Sequence, residues 1–142
     1  MIQSNRERKE KRERKKKNRT KIVEYAKIAE QAGACCLIVS DPSQRGISRM
    51  PDLSLIKEIK CVVLIPIMVR ALVGHFIEAQ ILEAIGVNYM DESEAIALAN
   101  EDNFINKQNF RCPFVSRWEN LREALSRVRE GAAMIVEAVF CV

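Results

Sequence analysis

The residues of this chain with the widest chemical reach stand where apolar runs stop. Arg70 ends "VVLIPIMV" (62–69), Asp91 and Glu92 follow "VNYM" (87–90), Ser40 and Asp41 follow "ACCLIV", and Ser116 and Arg117 end "PFVSR". A guanidinium keeps its proton beyond pH ~12, so Arg70 can hold an anion but offers no lone pair to a carbonyl. Asp91 could exchange protons in an acid–base step, or simply close its strand. His75 follows Gly74 at the start of a helical stretch, where an imidazole that caps or packs is the plainer reading. Five cysteines stand at 35, 36, 61, 112 and 141, with no CxxC spacing and a single histidine in the chain. That pattern leaves zinc without ligands and reads as free thiols in a reducing compartment. Neither a metal nor a cofactor is expected.

The elements that must position these residues follow from the hydrophobic period. Ile22, Tyr25, Ala26 and Ala29 recur at helical spacing up to Gly33, and "ACCLIVS" (34–40) is an apolar run of strand length. "DPSQRGISRMPD" is rich in turn formers. Asp52 is placed to cap a helix carrying Leu55, Ile56 and Ile59, and 62–69 reads as the next strand, with Pro66 in its middle. A helix over 75–85 ends at Gly86, strand 87–90 follows, and "ESEAIALA" reads as a short helix. "PFVS" (113–116) is a strand. Trp118, Leu121, Leu125 and Val128 mark a helix closed by Gly131, and "AAMIV" opens a fifth strand. Helix and strand alternate at roughly 25-residue spacing, the signature of βα units on a parallel sheet. Either a doubly wound sheet or part of a (βα) barrel satisfies that order. No glycine-rich phosphate loop follows any strand, which favours the barrel. In both folds the chemistry sits at the carboxyl ends of the strands.

Charge is unevenly spread. The net charge is +4, yet residues 6–17, "RERKEKRERKKK", carry nine basic residues and three glutamates. The rest of the chain is therefore slightly acidic. Glu7–Lys11, Glu10–Arg14 and Glu13–Lys17 support an exposed helix through i,i+4 pairs. With no apolar face it should project or fray, so residues 1–20 are expected as a mobile basic helix or tail and 21–142 as the folded domain. Nucleic-acid contact is not favoured, because no aromatics are interleaved to stack on bases. No apolar run reaches the ~18 residues of a membrane span. A cytoplasmic setting is expected, and the basic run 6–21 could also serve nuclear import.

Three longer strings, "GHFIEAQILEAIGVNYMDESE", "EDNFINKQNFRCPFV" and "EALSRVREGAAMI", resemble the synthase subunit of pyridoxal 5′-phosphate synthase, the PdxS/Snz family. The resemblance runs from about Ala29 to Ile135. It implies an incomplete (βα)8 TIM barrel of about five parallel strands. It also implies descent from an enzyme that joins ribose 5-phosphate, glyceraldehyde 3-phosphate and glutaminase-derived ammonia into pyridoxal phosphate. Such subunits assemble into double hexameric rings. A lysine closing the third barrel strand forms an imine with the pentose phosphate, a second lysine takes it over at the sixth strand, and carboxylates close the first and fourth.

Position by position, the family's "PVMAKARIGH" stands here as "PIMVRALVGH", so Arg70 occupies the place of the imine-forming lysine. Asp91 retains the fourth-strand carboxylate. An inter-subunit phosphate site built from a histidine and two arginines is represented by Phe104, Ser126 and Arg127, of which only Arg127 keeps its type. The stretch after Ile135, "VEAVFCV", lacks the family's second lysine and glycine-rich loop. The body lysines worth checking, Lys57, Lys60 and Lys107, are expected on helices or loops away from the strand ends. The resemblance therefore implies a synthase homologue impaired in catalysis. Two alternatives stand beside it: a non-catalytic partner of full-length synthase subunits, or a truncated product without function. A glutaminase partner is doubtful in each.

Overall fold

The computed structural model describes residues 2–42, 48–93 and 105–137. The predicted helix 92–99 lies almost wholly outside them, as do Phe104 and the stretch after Glu137. Helix α1 (Ile2–Gln31) leads into strand β1 (Leu37–Val39), and a two-residue ladder joins β2 (Asp41–Pro42) to β3 (Ser48–Arg49). Next come α2 (Leu53–Val62), β4 (Ile67–Arg70), α3 (Phe76–Ile85) and β5 (Tyr89–Glu92). A 3-10 turn (Lys107–Asn109), β6 (Phe114–Trp118), α4 (Leu121–Arg129) and β7 (Met134–Glu137) complete the described chain. Helix α1 is continuous across residue 20, where the sequence placed a boundary.

Five strands pair in parallel in the order β1-β4-β5-β6-β7. The order follows the chain and never reverses. Right-handed crossovers then put every helix on one face of the sheet, whereas a doubly wound sheet needs a reversal. The sheet is thus part of a (βα) barrel.

The two faces differ as the register requires. Val69 pairs with Met90, and Met90 with Phe114, and all three are buried toward the helices beside Ile56, Ile59 and Leu82. Each such side chain contributes about 1.5–3 kcal/mol on leaving water. The alternate positions, Ile38, Met68, Arg70, Tyr89, Asp91, Val115, Met134 and Val136, share the opposite, barrel-inner face. Of these Ile38 is 61% exposed.

Local rules explain most boundaries. Ser54 N–H donates to Asp52 Oδ1 (3.0 Å), capping α2. Gly86 turns left-handed (φ 74°) to end α3, and Lys60 Nζ sits 2.8 Å from Ile85 O and 2.6 Å from Gly86 O at that helix's negative end. Two glutamates repeat one device. Glu30 Oε1 accepts from Leu64 and Ile65 N–H (2.6 and 3.0 Å), and Glu83 Oε1 from Arg111 and Cys112 N–H (2.6 and 3.1 Å). Each holds the loop that leads into a strand.

Three sequence expectations need correction. The second strand begins at Ile67, not 62: α2 keeps Val62, and Pro66 stands just before the ladder rather than inside it, since it has no N–H to give. Trp118 ends β6 in register with Glu137 and is not part of α4. Leu121, Leu125 and Val128 do lie on α4 but face outward, at 73%, 55% and 56% exposure, while Ala124 and Arg127 face in. Small Ala124 lets the helix approach the sheet, and Arg127 is tolerated inside because it is paired.

Candidate functional site at the strand ends

Parallel pairing fixes the mouth. Register sets Arg70 opposite Asp91, so the last residue of β4 meets the third of β5 on the inner face. Arg70 Nε donates to Asp91 Oδ2 at 3.0 Å, with the arginine side chain 28% exposed and the carboxylate 3%. Asp91 Oδ1 accepts from Ser93 N–H (2.9 Å), and its backbone carbonyl accepts from Ala71 N–H (3.0 Å). The carboxylate is therefore gripped on both oxygens, and Arg70 is its counter-charge. The arrangement can hold an anion near the guanidinium. It offers no amine there.

One residue further along β5, Glu92 points to the helix side. Its Oε1 accepts from Gly74 N–H at 3.0 Å, which ties the loop after β4 to the end of β5. Its Oε2 lies 2.7 Å from Lys107 Nζ, with neither side chain exposed. Lys107 Nζ also reaches Glu130 Oε2 at 3.0 Å and the Ile105 carbonyl at 3.3 Å. Arg127 Nη1 lies 2.7 Å from both Glu130 oxygens. Lys107, expected away from the strand ends, is thus the buried centre of an ionic cluster joining the end of β5 to the end of α4. The sequence hid it because its partners stand 15 residues before and 23 after. Only a lysine set between Ile105 and Phe110 hinted at burial.

Arg127, carried over from the resemblance as a phosphate-site residue, is buried with its guanidinium turned onto Glu130. His75 caps α3, its Nδ1 accepting from Glu78 N–H at 3.2 Å. Arg117 Nη2 lies 3.7 Å from Glu119 Oε1, and Ser116 is wholly buried on the helix side. Asp41 is exposed on the short ladder above β1. Among the described residues, no cluster of three or more His, Cys, Asp or Glu is arranged to hold a metal, and no helix is long and apolar enough to cross a membrane.

A pyridoxal 5′-phosphate synthase-like subunit of Arabidopsis thaliana is 60% identical over 115 residues, which cover 80% of this chain and 37% of that protein. A pyridoxal 5′-phosphate synthase subunit of the same plant is 58% identical over 118 residues, covering 79% and 38%. One from Phaseolus vulgaris is 56% identical over 118 residues, again covering 79% and 38%. The chain thus spans well under half the length of the curated relatives it matches. The model of the SOR/SNZ family matches residues 19–138, most of the sequence, and the chain belongs to that family.

Proposed function

We propose that this chain is a catalytically silent relative of the pyridoxal 5′-phosphate synthase subunits that associates with such subunits instead of building the cofactor ring. The observation that carries the proposal is the guanidinium of Arg70 at the strand end, 3.0 Å from Asp91. Imine formation needs a neutral amine within reach of a carbonyl, and a guanidinium stays charged and delocalised. The site keeps the charge of the family's mouth and loses its nucleophile. Asp91, without an imine to serve, is a paired carboxylate one residue before its strand ends.

The outward row Leu121, Leu125 and Val128 on α4 supports the association half of the proposal, since apolar residues one turn apart on an open helix face suit contact with another subunit. Free thiols at Cys35, Cys36, Cys61 and Cys112 suit a reducing compartment such as the cytoplasm or nucleus. A glutaminase is not among the proposed partners, since a chain that builds no ring has no use for ammonia.

Two measurements test the halves separately. Incubation with ribose 5-phosphate and borohydride should leave the intact mass unchanged, because reduction traps only imines; a gain mapped to any lysine would restore a catalytic reading. Co-expression with a full-length synthase subunit should give a complex that co-elutes through size exclusion. Separate elution would remove the association.

A further inference from the structure

We propose that the amino-terminal half of α1 is a binding surface for double-stranded DNA, contacting phosphates without reading sequence. Between residues 3 and 21 the helix carries no apolar side chain at all. It cannot be covered by a hydrophobic partner, nor can it lie in a membrane interface, which needs an apolar face. Its surface is organised nevertheless. At 100° per residue, Arg8, Lys9, Lys11, Arg12 and Lys16 fall with Lys15 and Arg19 on one arc of about 160°. Glu10 and Glu13 both fall on the other side of the helix.

The arc is held in place by its own carboxyl-terminal members. Lys15 Nζ lies 3.1 Å from Asp52 Oδ2, and Arg19 lies 2.6 Å from Glu58 Oε1 and donates to Ser54 Oγ at 2.8 Å. These contacts dock the helix on α2. An open cleft of about 220 Å³ lies there among Arg12, Lys15, Lys16, Arg19 and Asp52. Arg8, Lys9, Lys11 and Arg12 continue the same arc one to two turns beyond the docking pairs, all exposed.

Charge complementarity selects a polyanion, and the residue types narrow it further. Single strands are gripped by aromatic stacking, so the absence of aromatics from residues 2–24 tells against single strands but not against a duplex held by its phosphates. The deep, narrow major groove of duplex RNA does not admit a helix, whereas the B-DNA major groove does. Contacts to phosphate alone fix no sequence.

Fluorescence anisotropy of the full chain with labelled 20-base-pair duplexes of two unrelated sequences provides the test. Both should bind alike, and log Kd should rise with log salt at a slope near 4, about 0.9 per phosphate contact. The triple variant Arg8→Gln/Lys11→Gln/Arg12→Gln should lower that slope by about 3 and weaken binding at least tenfold more than Arg14→Gln/Lys17→Gln/Lys21→Gln. The second variant loses equal charge from the opposite side. Far-UV circular dichroism confirms that both remain helical. Equal losses in the two variants would overturn the assigned face. Absent binding at 50 mM salt, or tighter binding to single strands, duplex RNA, polyglutamate or anionic vesicles, would overturn the assigned partner.

Discussion

Replacing Lys107 with methionine tests how much the fold depends on its buried charges. The ammonium lies 2.7 Å from Glu92 and 3.0 Å from Glu130, and neither the Lys107 nor the Glu92 side chain is exposed. Methionine fills nearly the same volume, so the cavity cost is small. Glu130 loses little, since it is partly exposed and Arg127 remains 2.7 Å away. Glu92 loses the ammonium paired with it and stays buried, with Gly74 N–H and a long Ile105 contact left to it. Breaking a buried pair from one side costs about 3–5 kcal/mol. Set against a typical 5–15 kcal/mol for a whole domain, that is a large fraction. With an m-value of about 2 kcal/mol per M urea, the midpoint should fall by about 1.5–2.5 M at unchanged m. Circular dichroism and Trp118 fluorescence read the transition. The double variant Glu92→Gln/Lys107→Met removes both charges and keeps an acceptor for Gly74, so it should recover about 1–3 kcal/mol over the single. A single variant within 1 kcal/mol of the parent, or a double variant at the sum of the two singles, would refute the description of this cluster. Should the single variant not fold, the double variant still decides.

Arg70→Lys should preserve the contact with Asp91 and shift stability by under about 1 kcal/mol, yet give no borohydride-trapped pentose phosphate, because the carboxylate beside it favours the protonated amine; trapping at neutral pH would show that a single substitution restores the nucleophile. Asp52→Ala should cost about 1 kcal/mol by uncapping α2. Hydrogen bonds from Ser54, then Lys15, hold the Asp52 carboxyl down at about 2, so its contribution is present above pH ~4 and fades as pH falls toward 2, and the gap between parent and variant should close over that window in acid titrations. Burial, with Glu83 nearby, pushes the Cys112 thiol up to about 11, so iodoacetamide at pH 8 should modify exposed Cys35 and Cys61 well before Cys112; equal rates, read by peptide mass, would contradict its placement.

What the sequence disclosed were the features that depend on neighbours along the chain. The βα alternation, the Asp52 cap, the Gly86 stop and the strand-end positions of Arg70 and Asp91 all follow from period and turn chemistry, and all hold. Alternation did not distinguish a barrel from a doubly wound sheet. The missing glycine-rich phosphate loop and the family resemblance pointed to the barrel, and the strand order, a property of pairing between distant segments, bears it out. Pro66 illustrates a boundary misjudged by local reasoning: eight apolar residues looked like one strand, whereas the proline divides them between the end of a helix and the start of a strand. The Leu121, Leu125 and Val128 row shows that an amphipathic pattern names a face without saying whether this chain covers it. Lys107 was illegible for a stronger reason. A lysine is compatible with burial only when carboxylates converge on it, and Glu92 and Glu130 converge only after β5, α4 and the 3-10 turn have packed.

The strand-end site separates two properties that a lysine there would combine. Register places residue 70 beside Asp91 whatever its side chain, so the position calls for a cation on packing grounds alone. Arginine meets that demand through Nε, which Asp91 accepts at 3.0 Å. Of its five N–H donors, four remain on the terminal nitrogens, carried by a side chain 28% exposed at the end of the sheet. An anion reaching the mouth would meet those donors in a planar fork suited to phosphate oxygens. A guanidinium there can meet an anion electrostatically but cannot form an imine with a carbonyl. On the proposed reading, imine chemistry is lost while the charge beside Asp91 and the fold beneath it stay in place. That combination suits the proposed role, association without turnover.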